Sequence, residues 1–286
     1  MKFILVFSVL FIFLTQAQSI DPLLVNPTDQ ESQRVWVDSV YHSLSLEEKV
    51  GQLFMPMVFT EKDSLHYLET LKLVQEQKIG GLIFSLGGPE EQSHWLNNFQ
   101  AHAQTPLLIA MDAEWGVAMR LDSVQAFPWP MTLGAVKDTV LLRKLGQRMG
   151  EQEKRLGIHY SFSPVLDINT NPKNPIIGNR SFGTSKERVI RQATAVMRGH
   201  HDMGILTSGK HFPGHGDTAQ DSHKTLPTVS FSSERIKSIE LDPYRELIDA
   251  GLSSVMIAHL NVPSLAEDGL PTSLSKKVIQ NLLIDE

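Results

Sequence analysis

The segment Gly209–His223 concentrates the side chains of this sequence that could do chemistry. It reads Gly-Lys-His-Phe-Pro-Gly-His-Gly-Asp-Thr-Ala-Gln-Asp-Ser-His and supplies one Lys, three His and two Asp in fifteen residues. Its glycines and its proline free and bend the backbone, which predicts a loop and neither a helix nor a strand. The preceding run Met203–Ser208 is short and apolar, as is typical of a buried strand. We therefore expect the polar groups where this strand opens into a loop, the usual place for chemistry in α/β enzymes.

Asp221 and His223 are the candidate catalytic pair of this segment. A carboxylate two residues from an imidazole can bind one ring nitrogen, which fixes the tautomer and raises the basicity of the other nitrogen. His223 is therefore a candidate proton donor and acceptor near neutral pH. Lys210 and His211 lie nearer the strand, and their N–H donors suit the hydroxyl groups of a polar ligand.

A metal site is an alternative interpretation of the same segment. The possible ligands are His211, His215, Asp217, Asp221 and His223. The sequence has no His-Glu-x-x-His or comparable spacing, however, and Lys210 would place a cation beside the metal. We therefore expect no metal and no cofactor. A polar surface loop without a role is disfavoured, since so many ionisable groups around glycines are rarely assembled for solvation alone.

Polar residues also follow the third and fourth strand candidates. An apolar run ends at Asp112, whose carboxylate can accept two hydroxyl groups of a ligand. Arg120 and Arg180 are donors in the loops that follow. An ordinary structural ion pair is an alternative for any one of the three, but together they indicate a cleft.

The elements that must position these residues alternate between strand and helix patterns. The strand candidates are Val50–Val58, Gly80–Phe84, Leu107–Met111, Gly157–Ser163, Gly204–Ser208 and Ser254–Ala258. The helix candidates are a short helix opened by a capping box at Ser45–Glu48, then Ser64–Gln77, Glu90–Ala103, Asp138–Arg155, a helix from a capping box at Thr184–Glu187 to about His201, Ser232–Ala250 with a bend at Pro243, and a last helix capped by Ser275. This alternation predicts parallel βαβ units and an α/β fold. We expect a TIM-like (β/α)8 barrel, incomplete here, with about six of its eight units present.

The motif Lys-His-Phe-Pro-Gly-His-Gly-Asp-Thr followed by Asp-Ser-His resembles the signature of the β-N-acetylglucosaminidase branch of glycoside hydrolase family 3. The resemblance extends from Leu46–Phe54 through Phe127–Gly134 to the final helix. It implies a retaining β-N-acetylhexosaminidase acting on amino-sugar glycans such as peptidoglycan fragments, with His223 as acid/base oriented by Asp221. It further implies that the amino sugar is bound by Asp112, Arg120, Arg180, Lys210 and His211.

The resemblance also has departures. The family's nucleophile is an Asp at the end of a seventh strand, which we expect beyond Glu286, so no residue of this chain is assigned that role. Asp249, Asp268 and Asp285 do not stand in the nucleophile's context. The sequence Asp-Ala-Glu-Trp-Gly differs from the commoner Gln-Glu-Gly-Gly, which leaves the roles of Glu114 and Trp115 open: Trp115 either stacks on a sugar or packs against protein.

The first residues are typical of a secretory signal peptide. Phe3–Leu14 is an apolar run that follows Met1-Lys2, with small residues after it, and it is shorter than the roughly 20 residues that span a bilayer. We therefore expect a signal peptide over 1–18, one domain over 19–286 and an exported protein, periplasmic or extracellular, with no membrane segment after cleavage. The absence of Cys excludes disulfides. A net charge of −6 argues against nucleic acid or an anionic membrane as the main partner.

Three other functions remain to be weighed against the hexosaminidase. A family 3 β-glucosidase usually carries Ala-Gly-Tyr-Gly after Lys-His-Phe, where this sequence has Pro213–Asp217. A non-catalytic amino-sugar-binding protein would not need Asp221 and His223. A metal-dependent hydrolase is the third, and resistance of the activity to a chelator would exclude it.

Overall fold

The structure, a computed structural model, describes residues 30–218, 225–266 and 269–285. Within these ranges six parallel strands form one sheet, in which each strand pairs with its neighbours in chain order. The strands are β1 Met57–Phe59, β2 Gly81–Ser85, β3 Leu108–Met111, β4 Tyr160–Ser161, β5 Leu206–Phe212 and β6 Ser254–Ile257. Parallel strands in sequential order, connected by helices, are the plan of a TIM-like barrel. The expected α/β fold with six strand units is therefore confirmed.

Helices connect the strands and cover the outside of the sheet. In the described ranges the α-helices are α1 Gln30–Ser43, α2 Leu46–Gly51, α3 Ser64–Glu76, α4 Pro89–His102, α5 Pro130–Leu133, α6 Thr139–Arg155, α7 Lys186–Asp202, α8 Ser233–Arg235 and α9 Asp242–Asp249. Short 3₁₀ turns cover Val117–Met119, Gly178–Arg180 and Thr272–Leu274, and wider π-helical segments cover Ile236–Glu240 and Lys277–Ile284. The predicted bend at Pro243 is an interruption at Leu241, where the π-helical segment gives way to α9.

The predicted caps differ in outcome. At α2 the Glu48 N–H donates to Ser45 Oγ over 3.2 Å and the Ser45 N–H donates to the Glu48 carboxylate over 2.8 Å, so this capping box is confirmed. The box predicted at Thr184 is wrong. The N-cap position of α7 is Ser185, so Glu187 is the second helical residue and not the third, and no side chain makes a capping hydrogen bond. Ser275 does not cap the last helix through its side chain, because its buried Oγ has no hydrogen-bond partner within the described residues.

The first strand is shorter than predicted. The apolar run Val50–Val58 predicted a strand, but α2 extends to Gly51 and further turns close at Leu53 and Phe54, which donate to carbonyls three residues earlier. Both of these side chains are exposed. Pairing with β2 begins at Met57, because the intervening backbone is still turning where the apolar pattern suggested an extended chain.

The fifth strand is longer than predicted, and this change matters for the site. Gly209–Phe212 was expected to be loop, but β5 continues to Phe212 and pairs with β6 through Gly209↔Val255 and Lys210↔Met256, with an irregularity before Phe212. The strand requires glycine at position 209, because a methyl group there would come within 2.7 Å of the Leu166 side chain. The Lys210–His211 and Phe212–Pro213 peptide bonds are cis. Lys210 is thus held by sheet pairing, and His211 lies at the irregularity within the same strand and not in a loop.

Two buried apolar clusters hold the helices against the strands. One surrounds β1–β3 and includes Val74, Leu82, Trp95, Phe99 and Ile109. The other joins α6, α7, α9 and β5 and includes Leu142, Met149, Val196, Phe212 and Leu247. Within the second cluster α6 and α7 approach so closely that a methyl group on Gly199 would lie 2.3 Å from the Arg143 carbonyl oxygen. No helix in the described part of the chain is long and apolar enough to cross a membrane.

Candidate active site

A cavity of about 630 Å³ collects polar side chains from the carboxyl ends of several strands. All five residues predicted to bind a sugar contribute to its lining, together with apolar side chains of β1, β2 and β6; the five are Asp112, Arg120, Arg180, Lys210 and His211. The sequence separates them by up to 99 residues, but parallel strands that run in chain order bring their ends to one edge of the sheet. The predicted cleft is therefore present as a cavity.

Lys210 is a buried cation at the centre of this cavity wall. Its side chain is 1% exposed, and Nζ lies 2.7 Å from Asp112 Oδ1 and 2.7 Å from Glu114 Oε1. The other Asp112 oxygen accepts from Arg120 Nη2 over 2.5 Å. Burial raises the pKa of Asp112, but Lys210 and Arg120 outweigh this effect and lower it to about 2. Asp112 is therefore ionised at neutral pH and fixed between two cations.

Glu114 is a central residue to which the sequence assigned no role. Its side chain is fully buried, and it accepts from Arg180 Nε over 2.8 Å and from Arg180 Nη2 over 2.6 Å, a two-point contact typical of an arginine–carboxylate pair. Burial raises the pKa of Glu114, but Lys210 and Arg180 outweigh it and bring the value to about 2. The signal in the sequence was a mismatch: Asp112 alone cannot neutralise the cations predicted at this site.

Asp167 is a second carboxylate that sequence reasoning missed, and it orients His211. It follows β4 in the sequence, is fully buried, and accepts from His211 Nδ1 over 2.7 Å and from the His215 backbone N–H over 2.6 Å. The remaining ring nitrogen, His211 Nε2, lies 3.3 Å from Arg180 Nη2. Because the guanidinium can only donate, the two contacts fit the tautomer with its proton on Nδ1. Burial raises the pKa of Asp167, but His211 and the His215 N–H outweigh this effect and hold the pKa below its ordinary value.

The loop after β5 is anchored as far as the structure describes it. Asp217 accepts from Thr170 Oγ1 over 2.9 Å, and the His215 carbonyl accepts from Asn174 Nδ2 over 2.8 Å. His215 Nδ1 lies 2.6 Å from Thr218 Oγ1. No group of three or more potential metal ligands occurs within residues 30–218, 225–266 and 269–285. The backbone that leads toward the predicted catalytic pair is therefore tied to the loop after β4.

Two predictions lie outside the described residues. Asp221 and His223 belong to the segment 219–224, and the signal peptide to 1–29, so the catalytic pair and the export signal stay predictions.

The role of Trp115, which the sequence left open between stacking on a sugar and packing against protein, includes packing against protein in the structure. Its ring stacks on Trp129 with centroids 4.1 Å apart and an angle of 11° between the planes.

Sequential parallel strands with ionisable side chains gathered at their carboxyl ends define a barrel-type domain built around a polar ligand site. Residues 45–286 match the family described as "Glycosyl hydrolase family 3 N terminal domain". This match covers most of the chain, and the chain belongs to that family.

Individual relatives agree with this assignment. The chain is 35% identical over 187 residues to Beta-hexosaminidase A of Pseudoalteromonas piscicida, a stretch that covers 63% of this chain and 31% of that protein. It is similar to the solved structure of a glycoside hydrolase family 3 beta-N-acetylglucosaminidase from Paenibacillus sp. str. FPU-7, with a TM-score of 0.78, 40% identity and coverage of 84% and 47%. It is also similar to beta-glucoside phosphorylase BglX bound to 2FGlc, with a TM-score of 0.84, 28% identity and coverage of 91% and 48%. The chain thus spans less than half the length of each of these three proteins.

Proposed function

We propose that this chain carries the sugar-binding part of a retaining β-N-acetylhexosaminidase, which removes terminal β-linked N-acetylglucosamine from glycans such as peptidoglycan fragments. The observation that carries the proposal is the buried network in which Lys210 joins Asp112 to Glu114. Lys210 and Asp112 line a cavity large enough for a sugar ring, and Glu114 lies buried behind this wall. The names of the Pseudoalteromonas and Paenibacillus relatives, a hexosaminidase and a beta-N-acetylglucosaminidase, support the amino-sugar substrate.

The network supplies the hydrogen bonds that a sugar needs. Asp112 is about one fifth exposed, and a carboxylate offers about four acceptor sites, so it can accept two ligand hydroxyls while it binds Lys210 and Arg120. The Lys210 ammonium has three donors and uses two on Asp112 and Glu114, which leaves one for a ligand. His211 is fixed by Asp167 at the cavity wall. A sugar bound here would meet groups whose positions are set before it arrives, which lowers the entropic cost of binding.

The proposed chemistry is double displacement at the anomeric carbon. His223, oriented by Asp221, protonates the glycosidic oxygen while a carboxylate attacks, and the same imidazole then activates the water that releases the sugar. The attacking carboxylate is the Asp expected beyond Glu286. Export through a signal peptide over 1–18 would bring the enzyme to cell-wall glycans.

The test uses the full protein and an aryl β-N-acetylglucosaminide. We expect His223→Ala to lower kcat/KM by at least about a hundredfold, in line with the loss of a general acid/base, with a larger loss for alkyl than for nitrophenyl leaving groups. The matched control is His102→Ala on the exposed surface of α4, which should leave kcat/KM unchanged. Wild-type rates in His223→Ala would refute the assigned role. Equal turnover by residues 1–286 and by a version extended through the next strand would contradict the assignment of the nucleophile.

A β-glucoside substrate is the second candidate, and the likeness to beta-glucoside phosphorylase BglX favours it. The same Asp112 and Lys210 groups can bind hydroxyls that glucose and N-acetylglucosamine share. Direct competition between the two aryl glycosides separates the candidates, since kcat/KM values in one mixture report relative transition-state binding. A preference for the glucoside would overturn the hexosaminidase, and release of a sugar 1-phosphate that requires added phosphate would indicate phosphorolysis.

A further inference from the structure

Trp115 and Trp129 form an aromatic pair in the segment between β3 and α5. The two rings are nearly parallel, 4.1 Å apart between centroids, and Trp129 keeps 44% of its surface exposed. A buried packing contact would hide both rings, because indole surface in water is costly. Here the partly buried Trp115 ring supports the Trp129 ring, whose remaining surface faces solvent.

Both members of the pair are connected to the ion pair between Arg180, which lines the cavity, and Glu114, which is buried behind it. Trp115 follows Glu114 directly in the chain, and its carbonyl accepts from the Phe127 N–H over 3.3 Å. Trp129 directly precedes α5, and the Gly134 that ends this helix lies against the Phe182 carbonyl, where a methyl group would come within 1.8 Å.

Phe182 is two residues beyond Arg180, the partner of Glu114. Trp115 is thus the chain neighbour of Glu114 in this salt bridge, and Trp129 is linked to Arg180 through α5 and the contact of Gly134 with Phe182. Neither ring lines the 630 Å³ cavity itself. Since Glu114 contacts Lys210 and Arg180 in the cavity wall and Trp115 is its neighbour in the chain, we infer that the pair lies beside the cavity and outside the space that a sugar fills.

We propose that the exposed face of Trp129, held in place by Trp115, is a second sugar subsite, which stacks on the C–H face of the uncharged pyranose attached to the sugar in the cavity. The inference rests on the proposed function and specifies where the leaving-group side of its substrate binds. An indole offers a flat apolar surface with few rotatable bonds, so little conformational entropy is lost on binding. Stacking on Trp115 has already fixed the ring, which lowers that cost further.

The test measures binding of a disaccharide against a monosaccharide in the full protein. The probes are thio-linked chitobiose, which resists hydrolysis, and N-acetylglucosamine, both titrated by calorimetry. We expect Trp129→Ala to weaken binding of the disaccharide about twofold to tenfold, the range for one lost aromatic stack, and to leave binding of the monosaccharide unchanged. Trp129→Phe keeps a flat ring and should retain most of the affinity. The control Trp36→Ala removes an exposed tryptophan from α1 and should change neither affinity.

The outcomes separate this subsite from the proposed function. Unchanged disaccharide affinity in Trp129→Ala, or an equal loss for both sugars, overturns the subsite while the amino-sugar site stands. If the wild-type protein binds glucose and thio-linked cellobiose but neither amino sugar, the hexosaminidase proposal fails. The subsite is then tested by whether Trp129→Ala weakens binding of thio-linked cellobiose more than binding of glucose. Binding of none of the four sugars overturns both.

Discussion

Replacement of Glu114 with Gln removes one charge from the buried network with almost no change in shape. The carboxylate receives two hydrogen bonds from Arg180 and an ion pair from Lys210, and it has no exposed surface. A carboxamide has one acceptor oxygen, and its NH₂ group would face a donor. Arg180 would keep its contact with the Ile176 carbonyl and lose its charged partner.

The pKa of Glu114 gives the size of the expected effect. Although burial alone raises it, the two cations lower it from an ordinary 4.5 to about 2. At about 1.4 kcal/mol for each pKa unit, the ionised side chain stabilises the folded state by about 3 kcal/mol. Removal of one partner from other buried ion pairs costs about 3–5 kcal/mol, which is the same order. We therefore expect Glu114→Gln to lower the free energy of unfolding by about 3 kcal/mol at pH 7.

Urea unfolding of the full protein measures this difference and its pH dependence. Because the folded pKa lies below the unfolded one, the stabilisation is complete above pH 4.5 and is lost as the pH falls toward 2. The gap between wild type and Glu114→Gln should therefore narrow in that window. The control Glu151→Gln breaks an exposed ion pair with Arg148 and should match wild type. An equal effect of the two substitutions, or a gap that stays constant from pH 5 to pH 3, would refute the reasoning.

Two further substitutions test the elements that position the site. Asp138→Ala removes the side chain that accepts from two backbone N–H groups in the first turn of α6, so the free energy of unfolding in urea should fall by about 1 kcal/mol, whereas Asp138→Asn should retain most of it. Gly199→Ala would force a methyl group to 2.3 Å from the Arg143 carbonyl oxygen and separate α6 from α7, with an expected loss of roughly 2 kcal/mol. Gly88→Ala is its control, since the nearest atom there lies 3.7 Å away, and equal melting temperatures of the two variants would count against the close packing.

The convergence of distant residues was predictable from the order of the strands. Asp112 ends one apolar run and Lys210 lies near the end of another, and βαβ units place such ends on one side of a barrel. Their side chains meet at 2.7 Å across 98 positions of sequence. The alternation of patterns therefore contained the location of the site, although it did not contain the exact ends of the strands.

Burial of charge was not predictable in the same way. Glu and Asp are rarely fully buried, so Glu114 and Asp167 carried no local mark that would distinguish them from surface residues. Their burial is stabilised by the cations and N–H donors that other loops supply. The glycine at 209 misled in the opposite direction: it indicated a turn, but its missing side chain allows β5 to pass close to Leu166.

The salt bridges of this cavity also determine how a ligand would respond to ionic strength. Among the described residues, three cations and three carboxylates alternate within a few ångströms in the wall and directly behind it: Arg120, Arg180, Lys210, Asp112, Glu114 and Asp167. Their fields largely cancel beyond the Debye length of about 8 Å at physiological salt. These six groups together exert little long-range attraction on ions of either sign, so the Kd of an uncharged ligand should stay constant from dilute to concentrated salt.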